Sequence, residues 1–198
     1  DGRIAALNAV LVDRNGYQGD RLTYDDLQNA NLMRVIDRRK GLPVALGILY
    51  IATAQRLGWP LAGVNFPGHF LVRLDHGGRN ALLDPFNAGK VCDAPALRQL
   101  LKTTVGDDAE LAPVYYQTVS HRAVLLRLQN NIKLRLLKRD GHAAALATIE
   151  RMRWLAPDIT TAIVNGHQPL ELNATKLMRL TAHLPADWTQ QRVHLGIR

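Results

Sequence analysis

The stretch that decides the fold runs from Gly68 to Phe86 and reads GHFLVRLDHGGRNALLDPF. Two runs with a strand-like period of two flank the pair Gly77-Gly78, and glycine turns between such runs are typical of a β-hairpin. We therefore predict strands over residues 69–74 and 79–84. A similar pattern over residues 62–66 predicts another strand just before them.

His69 stands near the start of this hairpin and Asp84 near its end. With a two-residue loop at His76-Gly77, His69 lies directly opposite Asp84, with Cβ atoms ~5 Å apart. A four-residue loop gives the same register. A three-residue loop would shift the register by one residue and put the two side chains on a diagonal. The expected contact therefore depends on the turn.

An imidazole that contacts a carboxylate supplies two parts of a catalytic triad, the base and the group that orients it. The third part, a nucleophile, is missing from the hairpin. The same contact also has a purely structural explanation, in which His69 and Asp84 satisfy each other's hydrogen bonds at the end of the hairpin. The pair alone does not decide between these two interpretations.

Helical patterns precede the hairpin. Apolar residues recur at helical spacing over residues 4–11, and a second pattern runs from Asp25 or Asp26 to the basic cluster before Gly41. Pro43 suits the first position of a third helix, where its missing N–H costs nothing. That helix is apolar nearly all round, which predicts burial, and Gly58 is expected to end it.

The rest of the chain is predicted to be mostly helical. A loop over residues 85–90 leads to a short helix over residues 94–102, and two amphipathic helices follow from Ser120 to Pro157, separated at Asp140-Gly141. Another helix is expected over residues 172–183. The order predicts an α+β domain, residues 1–115, with N-terminal helices packed on a small antiparallel sheet, and then a helical region, residues 116–198.

The composition is that of an ordinary globular protein, with 47% apolar and 21% charged residues. The formal net charge is +8, but the basic residues are scattered, so we expect a solvated basic surface and disfavour nucleic acid as a partner. A lone cysteine, Cys92, suits a reducing compartment. No signal peptide or membrane span is visible, and we expect a cytoplasmic protein without membrane contact.

No pattern of cofactor binding stands out. The histidines lack the spacing of metal ligands, and Gly77-Gly78 reads as a turn rather than a phosphate loop. We therefore expect neither a metal nor another cofactor.

Four segments occur in order: GLPVAL at 41–46, LGWPL at 57–61, FPGHFLVR at 66–73 and LDPFN at 83–87. Together they resemble the SirB-type bacterial transglutaminase-like family, over roughly residues 25 to 95. The resemblance implies a papain-like or transglutaminase-like core followed by tetratricopeptide-like helices. In the second half, a set of residues fits one tetratricopeptide-like unit: Asn130-Asn131, Gly141, Ala145, Ile149 and Ala156-Pro157.

The resemblance also implies a triad of a Cys at the start of the buried helix, a His on one strand and an Asp on the next. His69 and Asp84 match the family's His and Asp, and the position of the Cys falls at or near Pro43. Residues 41–49 contain no Cys, Ser or Thr. We do not expect Cys92, Tyr50 or Thr53 to replace the missing nucleophile.

These observations favour a protein that is not an enzyme: a transglutaminase-like scaffold, binding or regulatory, with a protein or peptide partner. The partner would use a cleft between Pro43 and His69 and the helical region, and the sequence leaves the oligomeric state open. The alternative is a hydrolase of amide or ester bonds in which His69 and Asp84 act as general base without a covalent intermediate. A third reading, nucleic-acid binding through the basic charge, is disfavoured.

Overall fold

A computed structural model describes residues 2–156 of the chain. Helix α1 (Gly2–Asn8) continues into a π-helical turn (Ala9–Arg14). The second predicted helix is divided into a 3-10 turn (Leu27–Ala30) and helix α2 (Leu32–Arg38). The division falls at Asn31, whose side chain caps α2 by accepting a hydrogen bond from the backbone N–H of Met33 at 3.1 Å.

Helix α3 (Pro43–Arg56) is the central helix of the fold. Pro43 occupies its first turn, and Gly58 follows its end with a φ of +67°, as the sequence predicts. Most of the helix is buried, and at Gly47 there is no room for a Cβ because the ring of Phe70 packs directly on the backbone. Strand β2 (Lys40–Gly41) directly precedes α3 and pairs in parallel with β1 (Gln18–Gly19).

A second, four-stranded antiparallel sheet packs beside α3 in the order β3-β4-β5-β6. Its strands are β3 (Leu61–Gly63), β4 (Val72–His76), β5 (Arg79–Asp84) and β6 (Lys90–Val91). The first two predicted strands are therefore displaced at their ends. Strand β6 and a 3-10 turn (Pro85–Asn87) lie where the sequence predicts only a loop.

The register of the β4–β5 hairpin differs from the predicted one by two residues. Gly77 and Gly78 form the two-residue loop, with φ values of +58° and +75°, and His76 pairs with Arg79. Two successive positive φ values are what the tightest hairpin turn requires, so the glycine pair rather than His76-Gly77 fixes the loop. Leu74 consequently pairs with Ala81.

Alternation along the strands supplies two hydrophobic clusters, one on each face of the sheet. Leu83 belongs to the cluster that includes α3, whereas its neighbour Leu82 belongs to the cluster that includes helix α4 (Ala94–Val105). Val72 and Leu71 divide in the same way. The sheet is thus covered by a helix on both faces, as the period of two dictates.

Helices α5 (His121–Lys138) and α6 (His142–Leu155) form an antiparallel hairpin, with the side chain of Ser120 capping α5. Val124 and Leu128 of α5 join the hydrophobic cluster around α3. The helix expected over residues 172–183 lies outside the described residues, and the division at residue 115 stays a prediction. Between residues 2 and 156 no helix is long and apolar enough to cross a membrane.

Candidate functional site

The structure brings His69 and Asp84 together, with Nε2 of His69 at 2.9 Å from Oδ1 of Asp84. The predicted contact is confirmed, although the register behind it was wrong. His69 lies in a bend before β4, next to Gly68 with its φ of +66°, rather than in a strand. An offset of two residues leaves the alternation of faces unchanged, and the imidazole is long enough to reach across the diagonal.

Asp84 accepts hydrogen bonds from three residues. Besides His69, its Oδ1 accepts from the backbone N–H groups of Phe86 at 3.0 Å and Asn87 at 3.2 Å. Its Oδ2 accepts from the side-chain amide of Asn87 at 2.5 Å. Asp84 therefore caps the 3-10 turn after β5 while it binds His69, and a Pro-Phe-Asn sequence after the aspartate suits that cap.

Burial alone would raise the pKa of the Asp84 carboxyl, but the hydrogen bond and charge of His69, together with the bonds from Asn87, outweigh it and lower the pKa. The group is therefore a carboxylate at neutral pH and can only accept. Nε2 of His69 must carry the proton that it shares with Asp84. In a neutral imidazole this leaves the lone pair on Nδ1, which bonds no residue between 2 and 156.

Phe86 forms one wall of the site. Its ring meets His69 edge-on at 6.2 Å and Tyr24 edge-on at 5.8 Å, while the guanidinium of Arg21 lies 5.3 Å from its centroid. Arg21 also donates to the side chain of Asn87. The contacts of Arg21 and Tyr24 link segments more than sixty residues apart, and only their partners, Phe86 and Asn87 of the LDPFN motif, carried a local signal.

Residues 20–26, which we call the strap, run past the site on the side of Phe86. Asp20 is buried and accepts hydrogen bonds from Thr23 Oγ1 at 2.6 Å and from Arg38 at 3.0 Å. At the other end of the strap, Arg135 of α5 lies 3.4 Å from Asp25 and donates to the carbonyl of Tyr24. Both ends are therefore attached, and the His69 side chain is only 13% exposed.

The start of α3 offers no nucleophile. Pro43, Val44 and Ala45 are buried, and none of them carries an ionisable group. Tyr50 donates its hydroxyl proton to Asn8 at 3.0 Å, and burial raises its pKa. Burial also raises the pKa of Cys92 to about 11, so that this thiol is protonated at neutral pH.

A cleft of about 520 Å³ lies beside the pair rather than over it. Its walls are β1, the first part of the strap, Lys40 and the turn from Phe86 to Ala88. Neither Pro43 nor His69 lines this cleft, and the expected cleft between them stays a prediction. Gly19 of β1 packs so closely on the Phe86 ring that no Cβ would fit there.

No cluster of three or more potential metal-ligating side chains, His, Cys, Asp or Glu, occurs in the part of the chain that the structure describes.

A buried helix packed on an antiparallel sheet, with a His–Asp pair at the open end of the central β4–β5 hairpin, is the arrangement expected of the transglutaminase-like class. The sequence model of the transglutaminase-like superfamily matches residues 1–130. The chain belongs to this superfamily.

Curated relatives support the assignment. A UPF0162 protein of Xylella fastidiosa (strain Temecula1) is 36% identical over 186 residues, 88% of this chain and 66% of that protein. A UPF0162 protein of Vibrio cholerae is 35% identical over 157 residues, 79% of this chain and 58% of that protein. The chain thus spans 58% to 66% of the length of these bacterial relatives.

A relative in animals shares a smaller part. F-box only protein 21 of Homo sapiens is 35% identical over 140 residues, 69% of this chain but only 22% of that protein. No solved structure gives a significant match.

Proposed function

We propose that the protein is a binding or regulatory scaffold that keeps the His69–Asp84 pair for its structure and has no catalytic nucleophile. One observation carries the proposal: the start of α3 consists of buried apolar residues, and neither Cys92 nor Tyr50 is activated in its place. The Asp84 carboxylate already accepts hydrogen bonds from the 3-10 turn that it caps.

A protein or peptide partner would bind in the cleft beside Phe86. Leu22 lines this cleft and is 90% exposed, so its side chain would give a partner an apolar contact. Lys40 and Arg21 add positive charge to the walls, which favours a partner with acidic residues around an apolar one.

The helical half belongs to the same proposal. We infer that α5 and α6 are one tetratricopeptide-like unit, that the protein is SirB-type, and that the helices provide a second surface for partners. Tetratricopeptide-like units stack on one another, and the antiparallel packing of α5 on α6 fits the first unit of such a stack. A single cysteine suits a reducing compartment, and we propose the cytoplasm.

Turnover assays test the catalytic part. The purified chain and its His69→Ala variant are incubated with amide, ester and amine-donor substrates, and product is followed over hours. We expect no turnover above buffer in either sample. The alternative, a hydrolase, is supported by the unbonded Nδ1 of His69, and it predicts turnover by the native chain that His69→Ala abolishes. That result would refute the scaffold proposal.

Selection from a displayed peptide library tests the binding part. Peptides selected on the native chain should lose at least ~tenfold in affinity with Leu22→Asp, which puts a charge into the cleft. Met33→Asp is the matched control, because Met33 is also strongly exposed but lies on α2, away from the cleft. Equal losses in the two variants would show that the cleft is not the binding surface.

A further inference from the structure

A second cavity lies on the other side of the bend that carries His69. Its volume is about 380 Å³, and it is formed by the chain around Val64 to Phe70, by one face of α5 and by Met152 of α6. The walls are mainly apolar, with Phe70, Val124 and Leu134 among them, and one charged side chain, Arg127, lines the cavity. This size is in the range of small-molecule sites.

The guanidinium of Arg127 is held in a fixed position. Its Nη2 donates to the carbonyl oxygens of His69 at 2.7 Å and of Phe66 at 3.2 Å, and the group lies 5.5 Å from the centroid of the Phe70 ring. Nε and Nη1 bond no described residue, yet they are not sealed from solvent. Two nitrogen atoms with three N–H groups therefore stay available at the cavity.

Arg127 also differs from the other arginines that are largely covered by the fold. Arg38 pairs with Asp20 at 3.0 Å, and Arg135 lies 3.4 Å from Asp25. Within residues 2–156, no carboxylate forms a salt bridge with Arg127. Burial lowers its pKa to about 10, and only the charge of the Tyr24 phenol works against this shift.

A cation in such surroundings is costly unless an anion accompanies it. The cavity also contains two side-chain amides, of Asn65 and Asn130, which make no hydrogen bond to any residue between 2 and 156. The cavity therefore offers a guanidinium and two amides that could bind an anion. It also offers apolar walls that could enclose a hydrocarbon group.

We propose that this cavity binds a carboxylate attached to an apolar group, with Arg127 pairing with the carboxylate and the apolar walls around Val124 and Leu134 enclosing the rest. The ligand is either a free small carboxylate or the C-terminus of a peptide with an apolar last residue, since both present the same chemistry. Phosphate fits less well, because it would bring two negative charges to one guanidinium and no apolar group to the walls.

Calorimetric titration of the full chain with N-acetyl-leucine and with its uncharged amide tests the proposal. The carboxylate should bind at least ~tenfold more tightly than the amide, because only the carboxylate forms charge-assisted hydrogen bonds. A short peptide that ends in leucine, with a free or an amidated C-terminus, gives the second arm. Tighter binding of the free acid in either arm supports the proposal, and the stronger arm identifies the source.

Two variants locate the site. Arg127→Met should abolish the preference for the acid. Ala123→Leu should block the cavity, because Ala123 lines it while the carbonyl bonds of Arg127 are left in place. Arg122→Met removes the same charge from an exposed position on the same helix and should change nothing.

Three results would overturn the proposal: equal binding of acid and amide, including none of either; inorganic phosphate binding as tightly as the carboxylate; or undiminished binding in Ala123→Leu. The last result decides even if Arg127→Met does not fold. None of these outcomes depends on whether the scaffold proposal is correct, because the titrations involve neither turnover nor the cleft beside Phe86.

Discussion

At the scale of single residues, Asp84 determines both where the chain turns after β5 and how the imidazole of His69 is oriented. A carboxylate that accepts several short hydrogen bonds is strongly preferred over its protonated form, which accounts for the lowered pKa despite burial. The charge of Asp84 is therefore part of the stability of the fold, whatever the pair does for a ligand.

Asp84→Asn should lower the free energy of unfolding by about 2 kcal/mol at pH 7, because it removes charge-assisted bonds and presents an amide to the Asn87 amide that now donates to Oδ2. A carboxyl whose pKa is lowered by folding contributes stability above its unfolded pKa of about 4, and that contribution disappears as the pH falls through the folded pKa. Urea denaturation from pH 7 to pH 2.5 measures it.

The difference between the native chain and Asp84→Asn should therefore shrink below about pH 4. Asp20, whose pKa is also lowered, is present in both proteins and cancels from the comparison. A difference that stays constant down to pH 2.5 would show that the charge of Asp84 is not the origin of its effect.

Gly89 is a second position at which the fold requires one particular residue. Its φ is +66°, and a Cβ there would overlap the side chain of Asn8 and the hydroxyl of Tyr50. We expect Gly89→Ala to cost about 3 kcal/mol of unfolding free energy, from backbone strain and from the loss of the Tyr50–Asn8 hydrogen bond.

Gly16→Ala provides the matched control for this prediction. Gly16 has nearly the same φ, +69°, but open space around the position of its Cβ, so only the strain of about 1 kcal/mol applies. Thermal unfolding of both variants followed by circular dichroism separates the two contributions. Equal losses would mean that crowding at Gly89 is relieved by a shift of Asn8.

At the scale of elements, the hairpin turn decides the sheet. Both loop glycines have positive φ and neither is crowded, so substitutions there test backbone conformation alone. Gly77→Asn should stabilise the protein by about 0.5 kcal/mol, since Asn tolerates this φ and restricts the unfolded chain. Gly77→Val should destabilise it by at least about 1 kcal/mol. Urea midpoints of the two variants that move in the same direction would contradict the turn described here.

Elements bounded by strong local signals could be predicted from the sequence. Pro43 and Gly58 delimit α3 because each has a backbone preference that acts without tertiary contacts. The hairpin register was missed because the two-residue loop was placed at His76-Gly77, although two successive glycines suit the tightest turn. Strand β6 was missed because it is only two residues long, Lys90–Val91. It is brought beside β5 by the turn that Asp84 caps, which the sequence pattern does not predict.

The residues of the candidate site also differ in whether the sequence could predict them. His69 and Asp84 could be found from the hairpin, because a register error of two residues leaves both side chains on the same face, within reach of each other. Arg21 and Tyr24 could not, since their contacts with the turn at Phe86 join distant segments and follow no periodicity. The same holds for Arg127, which resembles any other basic residue of an amphipathic helix until its neighbours are known.

At the scale of the whole molecule, α5 contributes to the same hydrophobic cluster as α3. Leu128→Ala should therefore lower the free energy of unfolding of the whole protein by about 3 kcal/mol. Leu125→Ala, on the same helix but 37% exposed, should change it by less than about 1 kcal/mol.

The same variant tests how far this coupling extends. Circular dichroism and tryptophan fluorescence should report one shared transition in the native chain and in Leu128→Ala, because the cluster joins α5 to the sheet domain. Two separate transitions, with only one of them shifted by Leu128→Ala, would indicate that the helical half unfolds independently.

The bonds that Asp84 accepts also bear on how such a chain would change over generations. Selection for a stable fold is sufficient to retain this aspartate, because its loss would release both a turn and an imidazole. Nothing in the packing at the start of α3 requires a thiol. A lineage that gave up catalysis could therefore lose its nucleophile by neutral drift and keep the aspartate. A His–Asp motif is for this reason poor evidence that a protein is still an enzyme.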